Sequence, residues 1–263
     1  VLMMENKVVT KKVLERAGIS VPGGYEYTSP EAGMADYRMY AGKPVVIKPK
    51  STNFGLGITI LKHNYDETDF KAALQIAFEH DNTVLIEKFI PGREFRIFII
   101  NDEVVGILHR VPANVTGDGV LNIGQLIDRK NEDPLRGKGY RTPLEKIRKG
   151  REEEMFLKQQ GMDFNTVPKE GEVVYLRENS NISTGGDSID FTDDIDDSYK
   201  AIAVEAAKAL NVKITGLDMM IQDIHAPATP DNYAIIEMNF NPAIHIHCYP
   251  FKGKNRHLNH KMI

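Results

Sequence analysis

Apolar residues recur along the chain in two periods, and the switches between them lay out its elements. Residues 6–17 set Val9, Val13, Leu14 and Ala17 at helical spacing, and Gly18 stops the run. Residues 44–49 read Pro-Val-Val-Ile-Lys-Pro, a short buried strand, and a second strand resumes at 58–61 after a turn. Residues 66–79 form an amphipathic helix with Asp66 as N-cap. The strand 83–86 runs into a Pro91-Gly92 turn, and 95–100 with 104–110 make a hairpin across Asn101-Asp102-Glu103. Signals weaken over 112–171, where 144–160 reads as a charged helix. The pattern then returns as a strand at 173–177, a helix at 198–210 packing through Ile202, Ala206 and Leu210, and apolar strands at 214–221 and 234–239.

Polar residues that interrupt this pattern are the candidates for chemistry. Alternation turns Glu237 and Asn239 the same way, while Ile236 and Met238 face a core. Asp218 is the single acid of the preceding strand. If the two strands are neighbours, Asp218, Glu237 and Asn239 converge as an all-oxygen set with two charges, which suits Mg2+ completed by substrate phosphates; otherwise they form a polar rim. Lys48, before Pro49, is a surface cap or a cation aimed at a ligand. The stretch Ser51-Thr52-Asn53-Phe54-Gly55-Leu56-Gly57 between two strands can fold over phosphates, or it is a plain hairpin turn. It is not a P-loop, because the Gly-Lys-[Ser/Thr] ending is absent and a strand follows.

Glu87-Lys88-Phe89-Ile90-Pro91-Gly92-Arg93-Glu94 reads as a hinge with backbone groups for an adenine edge and Glu94 for a ribose, or as a solvated turn. Arg96 shares a face with Phe98 and Ile100, where an arginine calls for an anionic partner. Arg110 closes the next strand. Arg177 ends another, beside Asn179-Ser180-Asn181-Ile182-Ser183-Thr184-Gly185-Gly186, a loop able to hold a carboxylate or phosphate through its backbone N–H groups. The basic run Arg136-Gly137-Lys138-Gly139 reads as a solvated face. His245 and His247 fall on one face at a spacing found in zinc sites, but a fourth ligand is missing, which favours a structural or substrate-facing role.

Composition narrows the classes. Of 263 residues, 41% are hydrophobic and 27% charged, as in globular proteins, and a net charge of -4 argues against nucleic acid as partner. No apolar run approaches the roughly 18 residues that span a bilayer, no signal peptide is visible, and one cysteine, Cys248, fits a reducing compartment. These features lead us to expect a cytoplasmic protein with neither nucleic acid nor membrane as partner. The chain opens on Val1 and runs almost at once into a helix, which suggests a domain excised from a longer protein.

The order of motifs resembles the ATP-grasp superfamily along nearly the whole chain. The matching pieces are Glu5-Asn6-Lys7, Val46-Ile47-Lys48-Pro49 before the glycine-rich loop, Ile86 through Glu94, Asp218, and Glu237-Met238-Asn239. The resemblance implies an α+β fold whose two lobes clasp ATP between antiparallel sheets, with a nucleotide-binding lobe over 1–89 and a metal- and substrate-binding lobe over 90–263. It implies Lys7 and Lys48 on ATP phosphates with Ser51, Thr52, Asn53, Gly55 and Gly57. Glu87, Lys88, Phe89 and Ile90 would meet adenine and Glu94 the ribose, while Asp218, Glu237 and Asn239 would hold two Mg2+ ions, with Mn2+ as substitute. Closer still, Arg110-Val-Pro-Ala-Asn-Val-Thr-Gly-Asp-Gly and Arg177 with Asn181-Ile-Ser-Thr-Gly-Gly resemble cyanophycin synthetases and the glutathione-synthesising domain of bifunctional glutamate-cysteine ligase/glutathione synthetases.

The wording of 25–40 and of the loop through Phe191 is most similar to the bifunctional enzymes. That implies an ATP-dependent carboxylate-amine ligase joining γ-glutamylcysteine to glycine through an acyl phosphate, fused to an N-terminal glutamate-cysteine ligase domain and able to form a homodimer. Arg96, Arg110, Asn181, Ser183, Thr184, Gly185 and Gly186 would receive the substrate. One departure stands out: D-alanine:D-alanine ligases carry an arginine two residues before the metal aspartate, and this chain has Gly216 there. The oxyanion role then passes to Arg177 or Arg110, with Lys48 as the third catalytic cation.

Overall fold

The computed structural model describes residues 4, 6–51, 57–62, 64–139 and 141–261. Two compact units interleave along the chain: unit 1 takes Val1–Arg93, Asn101–Glu103 and Asp196–Asn241, and unit 2 takes Glu94–Ile100, Val104–Ile195 and Pro242–Ile263. The strands carrying Asp218 and Glu237 therefore group with the first 93 residues, across the boundary drawn from sequence at 89/90.

Unit 1 opens on α1 (Lys7–Arg16), which Asn6 caps by accepting from Val8 N and Val9 N at 3.1 and 3.2 Å. Gly18, at φ 75°, ends it, and Ile19 N turns back to Leu14 O. Strands β1 (Gly24–Tyr27), β2 (Val45–Pro49), β3 (Thr59–Leu61) and β4 (Val84–Lys88) form an antiparallel sheet in the order β1-β4-β2-β3. The helix 67–78, with an Asp66/Asp69 capping box, lays Phe70, Ala73, Leu74 and Ala77 on that sheet against Val45, Ile47, Val84 and Ile86. The helix Asp197–Ala209 and the antiparallel pair β12 (Ile214–Ile221) and β13 (Tyr233–Asn239) complete the unit. The helix buries Tyr199, Ala203, Ala206 and Ala207, while Ile202 is only half-buried.

In unit 2, β11 (Asp187–Asp190), β6 (Glu103–Val111) and β5 (Arg93–Ile100) are consecutive neighbours in a sheet. The short strands β7 (Asn114–Thr116) and β10 (Val173–Tyr175) pair beside it in sequence. The expected helix over 144–160 is shorter, Arg151–Gln159. Residues Leu144–Glu145 instead form β9, parallel to β8 (Arg136–Gly137), because Leu144 and Ile147 are buried and hold this segment extended. The basic run is likewise not a solvated face: the Arg136 side chain is fully buried and ion-paired with Asp187. Cys248, buried, packs with Phe98, Ile100, Val105 and Leu258. His245–Cys248 is a single helical turn rather than a strand, so His245 and His247 do not share a face; His247 is sealed in the core.

No helix among the described residues is long and apolar enough to cross a membrane.

Candidate nucleotide and metal site

Strand pairing in unit 1 sets the candidate metal ligands. Asp218 lies directly opposite Glu237, and Gly216 opposite Asn239, so the three oxygen-bearing side chains share one face of the β12–β13 ladder. The register then shifts by one residue between Asp218/Met219, leaving Ile236 as the extra residue of β13. The core role expected of Ile236 falls on Ile235, which is 1% exposed, while Glu237 stays turned to the site face. Asp218 is buried, and Glu237 is half-buried with Lys7 Nζ at 3.4 Å. Asn239 Nδ2 is buried without a hydrogen-bond partner among the described residues. Turning the amide over exchanges Nδ2 for Oδ1 and sets an acceptor at that point.

Two carboxylates and one amide, its Nδ2 end orphaned, fit a hard divalent cation that keeps further oxygens from a polyphosphate. Groups of three or more His, Cys, Asp or Glu placed to hold a metal are absent among the described residues.

A cluster of cations lies in the same unit. Glu87 is 4% exposed, and its two oxygens are divided between Lys11 and Lys48, the latter at 2.8 Å. Burial alone would raise the Glu87 carboxyl, but Lys48 and then Lys11 hold it below the usual range. Burial, and next Lys48, bring Lys11 down to about 8 against the pull of Glu87. Lys11 was missing from the sequence-based set. The signal was there: it sits four residues after Lys7 on one helix, hence on the same face.

The expected hinge is partly strand. β4 continues through Lys88, and the N–H groups of Lys88 and Phe89 are bonded to Gly23 O and Pro44 O at 2.8 and 3.0 Å, so they are not open to an adenine edge. Ile90 is half-buried just beyond. In the glycine-rich turn, Ser51 N donates to Asp81 Oδ2 at 2.7 Å. Gly57 has φ 72°, and a Cβ there would come within 2.7 Å of Pro49 and His80. Thr52, Asn53 and Gly55 lie outside the described residues.

Unit 2 carries its own candidate residues. Glu94 pairs with Arg110 and accepts from Ser180 Oγ at 2.9 Å, joining β5, β6 and the donor-rich loop at one carboxylate. Arg96 is buried, 8% exposed. Arg177 is clamped by the helix 151–159: its Nε donates to Glu153 Oε1 at 2.7 Å, and Glu152 takes its other side. The loop does not present its backbone as expected. Thr184 N and Gly186 N are bonded to Asn181 O, and Gly185 N to Ile182 O, in a 3-10 turn closed by Gly185 at φ 93°. Thr184 Oγ1 also points inward, to Asn179 Oδ1 at 2.8 Å. Asn181 and Ser183 are half-buried, and their side chains remain the loop's candidates for a ligand.

Residues 4–129 match the family model described as RimK-like ATP-grasp domain, and the helices and antiparallel sheets are those of an α+β fold of the ATP-grasp class. Within that class the chain is similar along its whole length to proteins named glutathione biosynthesis bifunctional protein. It is 62% identical over 263 residues to that of Desulfotalea psychrophila and 55% identical over 262 residues to that of Clostridium perfringens. In both comparisons it spans 34% of the relative's length. A solved bifunctional glutathione synthetase from Pasteurella multocida matches 99% of this chain and 36% of its own, at 49% identity and TM-score 0.75. A D-alanine–D-alanine ligase from Bacillus anthracis, at 20% identity and TM-score 0.53 over 91% of this chain, shares the fold.

Proposed function

We propose that this chain is the glutathione-forming part of a bifunctional enzyme, joining γ-glutamylcysteine to glycine at the expense of Mg2+-ATP. The observation that carries the reading is the face-to-face register of Asp218 and Glu237 in a chain 62% identical throughout to a bifunctional glutathione biosynthesis protein. Unit 1 binds the nucleotide, with Lys7 and Lys48 on its phosphates, Ile90 and its neighbours at adenine, and Asp218, Glu237 and Asn239 holding two divalent ions. Bound Mg2+ supplies positive charge to the phosphate oxygens. Unit 2 binds the dipeptide through Arg96, Asn181 and Ser183. Its fusion partner is an N-terminal glutamate-cysteine ligase domain.

The C-terminal carboxylate of γ-glutamylcysteine attacks the γ-phosphorus of ATP, ADP leaves, and the acyl phosphate is then attacked by the neutral amine of glycine with release of phosphate. Such chemistry is driven by positioning and by cations facing the spreading negative charge. Arg110 suits that role better than Arg177. Its partner Glu94 is only half-buried and also accepts from Ser180 Oγ, so that carboxylate keeps a donor when the guanidinium turns to the substrate. Moving Arg177 would instead strand the charge of Glu153, which is 1% exposed.

ADP release with Mg2+-ATP tests the reading: γ-glutamylcysteine plus glycine should support turnover with glutathione as product, whereas aspartate-rich peptide plus arginine should not. Turnover with the second pair alone would move the chain to a cyanophycin-type reaction. Glu237→Ala should lower turnover by at least about a hundredfold with the circular dichroism spectrum unchanged. Unaltered turnover in that variant would remove the metal assignment.

A further inference from the structure

We propose that Lys11 is a positioning residue for the nucleotide phosphates: by holding the Glu87 carboxylate it lets the Lys48 ammonium exchange that carboxylate for a phosphate. The inference deepens the ATP-binding reading and rests on it. Lys7 and Lys11 stand one turn apart on α1 and line one cleft with Glu237 and Met238 of β13. In the sheet, Val46 pairs with Glu87 and Lys48 with Leu85, so Lys48 and Glu87 are diagonal neighbours on one face. Glu87 Oε2 meets Lys48 at 2.8 Å, and Oε1 meets Lys11.

The consequence follows from what each group would lose. A buried carboxylate with Lys48 as its sole cation would grip it through a charge-assisted hydrogen bond. A phosphate arriving at Lys48 would then have to strip the cation from a buried anion, and an unpaired buried charge is among the most expensive states a protein can hold. With Lys11 on the other oxygen, the carboxylate keeps a partner when Lys48 turns away. The trio also carries one net positive charge, an attraction for phosphate that a plain lysine–glutamate pair lacks. Lys11, held at about 8, is mostly protonated at neutral pH and so serves as that partner.

The plainer role for Lys11 is to tie α1 to β4, and a double-mutant cycle separates the two. Mg2+-ATP affinity is measured by calorimetry on the full chain for wild type, K11R, K11M, E87Q and K11M/E87Q, at a temperature below every unfolding midpoint. K11R should stay within about threefold of wild type, since it keeps the charge, and K11M should bind about tenfold more weakly because Glu87 now grips Lys48. Adding E87Q to K11M keeps the side chain's shape but releases Lys48, and most of the lost affinity should return. If K11M binds as wild type does and merely melts earlier, or if K11M/E87Q is as weak as K11M, the proposal is overturned. Failure of wild type itself to bind Mg2+-ATP would instead overturn the nucleotide reading and this proposal with it.

Discussion

His247 is a titratable ring placed where it can scarcely titrate. It is fully buried, its ring stands T-shaped to that of Phe98 with centroids 5.4 Å apart, and neither ring nitrogen has a hydrogen-bond partner among the described residues. Gly106 makes room for it, since a Cβ there would lie 2.7 Å from Nδ1. Burial first, then the positive charge of Arg96, push its pKa from 6.5 down to about 3. Between those values the unfolded chain binds a proton that the native chain refuses, so this residue makes stability fall as pH drops from about 6.5 towards 3. The slope is at most about 1.4 kcal/mol per pH unit. Urea unfolding at pH 4.5 to 7 should therefore show a shallower loss of stability in His247→Leu than in wild type. Equal slopes would mean that the ring takes its proton in the native state.

Among elements, the paired isoleucines of β13 make the sharpest test of local structure. Strict alternation sets Ile236 against the core with Met238 and leaves Ile235 on the face of Glu237; the extra residue in the ladder reverses the roles of the two isoleucines. Ile235→Ala should lose about 3 kcal/mol of unfolding free energy and Ile236→Ala about 1. The opposite ranking in denaturant titrations would return Ile236 to the core.

The same element shows what can be read from a sequence. Asp218, Glu237 and Asn239 were legible because their strands are long, apolar and interrupted by few polar residues. Helix 67–78 was legible because its cap and its apolar stripe agree. The bulge was not, since it belongs to the pairing of two strands and leaves no mark in the alternation of either one. Nor was the inward bonding of the 181–186 loop, because small donor-rich residues suit a self-closed 3-10 turn as well as an anion cradle. Arg136 reads as solvated in a basic run, and partners distant in sequence, Asp187 and the carbonyls of Glu145 and Gly185, explain its burial.

On the scale of the whole molecule, the interleaving of the units was the feature least accessible to local patterns. Unit 1 gathers three separated segments, and what α1 buries is covered by the last of them: Thr10 and Leu14 line a cleft with Ile235 and Met238, and Ile235 N donates to Ser20 O at 2.9 Å. The cluster around Phe70, Ile47 and Ile86 lies wholly within 27–86. A fragment of residues 1–93 should thus keep slow amide exchange in β2, β4 and helix 67–78 while α1 exchanges freely. Strong protection throughout α1 in the fragment would show that it needs neither β12 nor β13.

The burial of Cys248 acquires a meaning of its own under the proposed reaction, whose product carries a thiol. At 4% exposure, packed against Phe98 and Leu258, the sulfur is withheld from solvent, and exchange with a disulfide needs an accessible thiolate. Oxidised glutathione, the disulfide of that proposed product, would therefore meet no accessible thiol on the described surface of this chain. Under that reading the chain would form its thiol product without being S-glutathionylated in turn.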